Sequence, residues 1–137
     1  MQYDQFVGQV QARAHLANSG EATAAVRATL ETLGERVPEG LANNLAAQLP
    51  REIGEHLRRT ILLAGSGTGE RFDHNEFIAR VAERSSVAVP QAAFNLRVVF
   101  EVLAEATQGH VIQHIWDALP PDLVQLATAG SRGHTPN

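Results

Sequence analysis

Apolar residues recur along this chain at the spacing of one helix face, in four stretches that are then run through a second time. Phe6, Val10 and Ala14 stand four apart, which places them on one face of a first helix over about Tyr3 to Leu16. Asn18-Ser19-Gly20 interrupts the pattern, and Ser19 is placed to cap a second helix carrying Ala22, Val26, Leu30 and Leu33 to about Arg36. Val37-Pro38 breaks that run. A short third helix from about Glu39 to Gln48 turns Leu41, Leu45 and Leu49 inward, and Pro50 opens a fourth with Ile53 and Leu57. Proline disfavours helical geometry at the residue before it, so Leu49-Pro50 sets a corner between the third and fourth helices.

The second pass follows the first residue for residue. At an offset of 71, Phe6 falls on Phe77 and Val10 on Val81; after a one-residue gap near Gly20, an offset of 70 sets Val26 on Leu96, Leu33 on Leu103, Leu45 on Ile115 and Leu49-Pro50 on Leu119-Pro120. Its local signals are clear. Asp73 is an N-cap with Glu76 as capping-box partner and Phe72 with Phe77 as a hydrophobic staple, so the fifth helix begins at about His74. Val89-Pro90 starts the sixth, Gln108-Gly109 separates it from the seventh, and Pro120-Pro121-Asp122 starts an eighth that ends by Ala129-Gly130. The prediction is an all-α fold of two tandem four-helix units, about eight short helices, related by internal duplication and packed into one bundle-like domain. Repeat one covers about 3–61, a glycine-rich linker 64–71, repeat two about 73–129, and a mobile tail 130–137.

The copies differ along one stripe. Ala24, Ala28 and Thr32 align with Phe94, Val98 and Val102, and Ala46 with Trp116. Each set is spaced i, i+4, i+8 and needs something to bury it. The expected arrangement lays the bulky stripe on the small one within a single chain, because a lone half of roughly 55 residues is marginal by itself. The rival arrangement buries Phe94, Val98 and Val102 against a second subunit.

Composition narrows the chemistry. A chain of 137 residues with 44% apolar content has enough material for one core. Cysteine is absent, which removes disulfides and thiolate chemistry, and all 11 basic residues are arginine, which removes lysine Schiff bases and phosphate-loop lysines. The net charge is −4, and Arg51, Arg58 and Arg59 sit among Glu52 and Glu55 instead of forming a basic stripe. Nucleic-acid binding through the helix at 50–60 is therefore the least favoured reading. The start MQYDQFVGQV carries no basic and apolar leader, and no apolar run approaches the roughly 20 residues of a membrane helix, so the expectation is a cytoplasmic protein with no membrane partner.

Candidate reaction centres dissolve on inspection. Ala64 to Glu70, AGSGTGE, lacks both the Gly-Lys-Ser/Thr of a phosphate loop and the third glycine of a dinucleotide fingerprint, and reads as a tether. His110 and His114 share a helix turn at metal-ligand spacing, yet no glutamate completes a zinc-hydrolase motif, and with Ile112, Ile115 and Leu119 inward both histidines face water. No serine occupies a nucleophile elbow; Ser85 and Ser86 read as a helix end. The acids Asp4, Glu21, Glu31, Asp73, Glu76, Glu101 and Glu105 spread over separate faces, as structural or capping groups. The reading from residues is no catalytic residue, no metal and no cofactor.

Tyr3-Asp4-Gln5-Phe6 with Val10, the Ala-Val-Arg-Ala-Thr-Leu-Glu-Thr-Leu run from Ala25 to Leu33, Ala47-Gln48-Leu49-Pro50, and the repeated Phe77, Val81 and Leu119-Pro120 resemble the bacterial family of uncharacterised proteins called domain of unknown function 2267. The resemblance covers Tyr3 to about Thr128; it implies a helical, duplicated fold and transfers no activity and no catalytic residue. The leading expectation for function is a non-enzymatic helical interaction or scaffold module, partnered by another protein or by a second copy. The alternative is a small-molecule binder with a cleft between the repeats, for which Trp116, His110 and His114 are the candidate contacts.

Overall fold

The computed structural model describes residues 1–64 and 71–129, with the backbone alone over 60–64. These residues form eight helices and no strand: α1 (Tyr3–Arg13), α2 (Ser19–Arg36), α3 (Glu39–Ala47), α4 (Arg51–Ala64), α5 (His74–Ser85), α6 (Val89–Ala106), α7 (Val111–Asp117) and α8 (Pro121–Thr128). Residues 65–70 of the anticipated linker, and the anticipated tail from 130, lie outside the described residues.

The two long helices, α2 and α6, are the axis of the core. Each packs on the other and on α1 and α5, while α4 covers α2, α8 covers α6, and α3 faces α7. Helix α1 therefore reaches across to the second half, and α5 reaches across to the first. Their inward faces are the predicted ones: Phe6, Val10, Phe77 and Val81 are fully buried, as are Val26, Leu30 and Leu33 of α2 and Leu96, Phe100 and Leu103 of α6. Side chains of this size each contribute roughly 1.5–3 kcal/mol when taken from water. Val98 and Val102 are buried within the one chain, as is Ala28, while Phe94 and Ala24 remain half-buried. The contact of α2 with α6 is thus intramolecular, and it leaves only the first pair of the predicted stripe at the surface.

Local rules place the helix ends, with three departures from expectation. The residue capping α2 is Asn18, one before Ser19: its side chain accepts the Glu21 N–H at 2.9 Å, and Ser19 becomes the first helical residue. Asp73 caps α5 by accepting the Glu76 N–H at 2.9 Å, and the Phe72–Phe77 staple forms with ring centroids 6.1 Å apart. The reciprocal half of that box is not made, because the Glu76 carboxylate binds Arg80 Nε at 2.8 Å. Helix α1 stops at Arg13, short of the expected Leu16, because the chain turns through left-handed backbone at His15.

The Leu-Pro corners match in detail. Leu49 N–H donates to Ala46 O and Leu119 N–H to Trp116 O, both at 3.2 Å; Ile53 and Leu123 N–H groups then bond Pro50 O and Pro120 O at 2.9 and 3.0 Å. Leu49 and Leu119 are 8% and 6% exposed, so each corner closes on the core. On α4, a Cβ at Gly54 stands 2.8 Å from the Ala46 carbonyl oxygen, so glycine is what lets α3 and α4 approach this closely.

Candidate ligand cleft between the two halves

Helices α1 and α5 end alike, and their ends open the cleft. His15 and Ser86, which correspond at the offset of 71, both take left-handed backbone, with φ of 56° and 59°. Leu16 N–H then reaches back to Gln11 O at 3.0 Å and Val87 N–H to Ala82 O at 3.1 Å, with His15 N–H on Ala12 O and Ser86 N–H on Glu83 O at 3.3 Å. This is the Schellman pattern, which satisfies the last helical carbonyls and turns the chain sharply into the next helix. Glycine is the usual residue there, since a side chain at positive φ is strained. Neither turn has one.

Between these two turns lies a cleft of about 870 Å³. It is walled by Ala14–Asn18 and the start of α2 on one side, and by Ser85–Val87 and the first turns of α6 on the other. That volume falls in the range of small-molecule sites. Its deepest polar group is Asn95, 2% exposed. Asn95 Oδ1 accepts from Gln91 Nε2 at 2.8 Å, and among the described residues Asn95 Nδ2 donates to nothing. Phe94, beside it, presents a half-buried ring; Arg97, which covers the ring at 5.1 Å from its centroid, does not line the cleft. Among the described residues Glu21 is the one carboxylate in the wall, and its Oε1 accepts the Ala17 N–H at 3.1 Å.

Two crossed arginine clasps hold the walls together. Arg13, the last residue of α1, puts Nη1 at 2.7 Å from Glu101 and Nη2 at 2.7 Å from Glu105, both on α6. Arg84, near the end of α5, sets Nη2 at 2.6 Å from Glu35 and Nε at 3.8 Å from Glu31, both on α2. Arg84 also donates to Thr32 Oγ1 at 2.8 Å. The hydrogen bond from Arg13 holds the Glu105 carboxyl below its usual range. Burial acts to raise that of Glu35, but Arg84 and Arg80 outweigh it and the net shift is downward. The arginines correspond at an offset of 71 and the glutamates at 70. Glu31, Glu101 and Glu105, read from the sequence as structural or capping acids on separate faces, act structurally as clasp acceptors, and the offset alignment already contained them.

Trp116, His110 and His114, the contacts expected from the sequence, fall outside the cleft. Trp116 is half-buried, its ring 5.4 Å from that of Phe100. His110, the N-cap of α7, and His114, within it, are both exposed, and no group of three metal-ligating side chains forms among the described residues. Phe94 and Ala24 do line the cleft, a role the stripe argument did not give them. Of the α4 arginines, Arg51 pairs with Glu55 at 3.5 Å and Arg59 with Glu31 at 2.8 Å. No single helix among the described residues is long and apolar enough to cross a membrane; α5 and α6 together are, but they bend by 97° at their break.

Fold and cleft define an all-helical protein whose two halves share their turns, corners and clasps and leave an open cleft of mixed polar and apolar lining between them. Its sequence is that of a known kind of chain. The protein belongs to the family described as uncharacterized conserved protein DUF2267, whose family model matches residues 3–126. No curated protein matches it.

Proposed function

We propose that this protein binds a small polar molecule in the cleft between its halves. The observation that carries the reading is Asn95: a side chain buried to 2% whose Nδ2 is left without a partner at the wall of a cavity of about 870 Å³. Two non-glycine residues in left-handed backbone, His15 and Ser86, flank the same cavity, and strained backbone of that kind gathers at binding sites. The interaction-module reading finds less support. The large apolar side chains left exposed among the described residues are Met1 and Val89, which make no face for a partner helix.

A two-dimensional amide NMR screen of the full chain against a mixed library of neutral and charged metabolites tests the proposal. Binding shifts amides of residues 14–24 and 85–95 and spares those of α3 and α7. Trp116 fluorescence is a poor reporter, since that ring packs on Phe100 away from the cleft. A library that moves no amide in those two segments refutes the proposal.

A further inference from the structure

The chemistry of the wall narrows the ligand, on the footing that the cleft is a binding site. Charge comes first. Among the described residues no arginine lines the cavity, its carboxylate is Glu21 and its imidazole His15, so a phosphate or carboxylate entering it meets no permanent positive charge. The hydrogen-bonding groups come next. Gln91 and Asn95 are one helical turn apart on α6, and the bond from Gln91 Nε2 to Asn95 Oδ1 locks the two amides to each other. That bond consumes one donor and one acceptor. What remains among the described residues is Gln91 Oε1, an acceptor with no donor, and Asn95 Nδ2, a donor with no acceptor. A linked pair offering one of each complements a ligand edge that carries one of each. The third element is the Phe94 ring at the same wall, a surface on which a flat ring stacks.

From these three features we infer that the cleft takes an uncharged planar ring bearing an amide or amidine edge, the edge chemistry shared by nucleobases and aryl carboxamides. The Gln91–Asn95 pair reads that edge and Phe94 supports the ring. The second half of the molecule is the specificity wall, because α2 carries Glu21, Ala24 and Ala25 where α6 carries Gln91, Phe94 and Asn95.

The probes are adenosine, nicotinamide and nicotinate, titrated separately into the full chain and followed by amide NMR, including the side-chain amide signals of Asn95 and Gln91. Adenosine or nicotinamide is expected to move both side-chain amides and the backbone of 85–95, and the two arms separate nucleobase from carboxamide. Nicotinate, the same ring with a carboxylate, binds at least about tenfold more weakly. Asn95→Leu and the surface-accessible Gln91→Leu each weaken the preferred probe by roughly ten- to a hundredfold, since each leaves a ligand polar atom unmatched. Gln91→Leu serves even if the core change at Asn95 disturbs folding. Nicotinate binding as tightly as nicotinamide overturns the inference, and so does retention of affinity in Gln91→Leu. If other library compounds bind in the cleft while both planar probes fail, the ligand class is wrong and the cleft remains a binding site. If nothing binds there, both readings fall.

Discussion

The two clasps look equivalent, yet their surroundings predict unequal worth. Removing Arg13 as Arg13→Met keeps much of the side-chain volume and strips the charge. Glu101, 19% exposed, then has no second arginine among the described residues. Its hydrogen bond to a charged donor is worth roughly 1.5–3 kcal/mol, while Glu105, 50% exposed, adds little because water screens it. The expected loss is about 2 kcal/mol. In Arg84→Met, Glu35 keeps Arg80 at 3.0 Å and Glu31 keeps Arg59 at 2.8 Å, so neither carboxylate is stranded. The expected loss there is about 1 kcal/mol, half that of its counterpart. Urea unfolding followed by circular dichroism measures both, with unchanged m-values as the check that the denatured state is the same. In thermal scans the losses correspond to roughly 8 and 4 °C. Adding Glu101→Gln to Arg13→Met should recover part of the loss, because the amide is not a stranded charge. An Arg84→Met cost equal to or above that of Arg13→Met refutes the argument from neighbouring arginines. A double variant that is merely additive refutes the argument from stranded charge.

Three further outcomes follow from the same structure. Leu49→Ala and Leu119→Ala each lower stability by roughly 2–5 kcal/mol in urea titrations, since both leucines close a corner on the core. Thr29→Val raises it by about 1 kcal/mol: Thr29 Oγ1 is buried without a partner, and the corresponding residue of α6 is already Val99. Acid lowers stability in two stages. Burial depresses the pKa of His56 below its ordinary 6.5, so the fold favours neutral imidazole and loses that contribution as pH falls below 6.5. Glu35 and Glu105, held below 4.5, contribute stability that is lost as pH falls through their folded values. Thermal midpoints from pH 7.5 to 3 should therefore fall monotonically, and His56→Leu should flatten the upper stage alone.

How far the sequence carries depends on the range of the forces involved. Helix starts and corners were legible because their determinants are local: Asp73 with Phe72 and Phe77, Val89-Pro90 and the two Leu-Pro steps act within a few residues. Asn18 displaced Ser19 as a cap because the two are adjacent and equally suited, and only backbone angles choose between them. The helix end at Ser85-Ser86 was legible, but the left-handed turns at His15 and Ser86 were not, since neither carries the glycine or asparagine that marks a Schellman end. The clasps were within reach. Arg13 with Arg84, Glu31 with Glu101 and Glu35 with Glu105 all align, but a comparison restricted to apolar positions passes over them. A cleft between the repeats was among the alternatives, but its walls were not legible: Trp116, His110 and His114 lie outside it, because it forms only where two turns from opposite halves meet.

Correspondence between the halves also separates what holds the fold from what does not. Phe6 and Phe77, Leu49 and Leu119, and Arg13 and Arg84 repeat in kind, and each is a packing or clasp residue. The cleft breaks the pattern: His15 faces Ser86, Glu21 corresponds to Gln91, Ala24 to Phe94 and Ala25 to Asn95. Ala25 shows that an apolar residue satisfies this position in the same kind of helix, being 1% exposed with no polar atom to match. Asn95 in its place sets a polar side chain, 2% exposed overall, where its counterpart is apolar, and its Nδ2 has no protein acceptor among the described residues. Stability and binding should therefore respond oppositely there. Asn95→Leu unfolds at or above the wild-type urea midpoint while it weakens recognition in the cleft by roughly ten- to a hundredfold. A purely structural asparagine predicts the reverse, a destabilised fold with the cleft's binding unchanged.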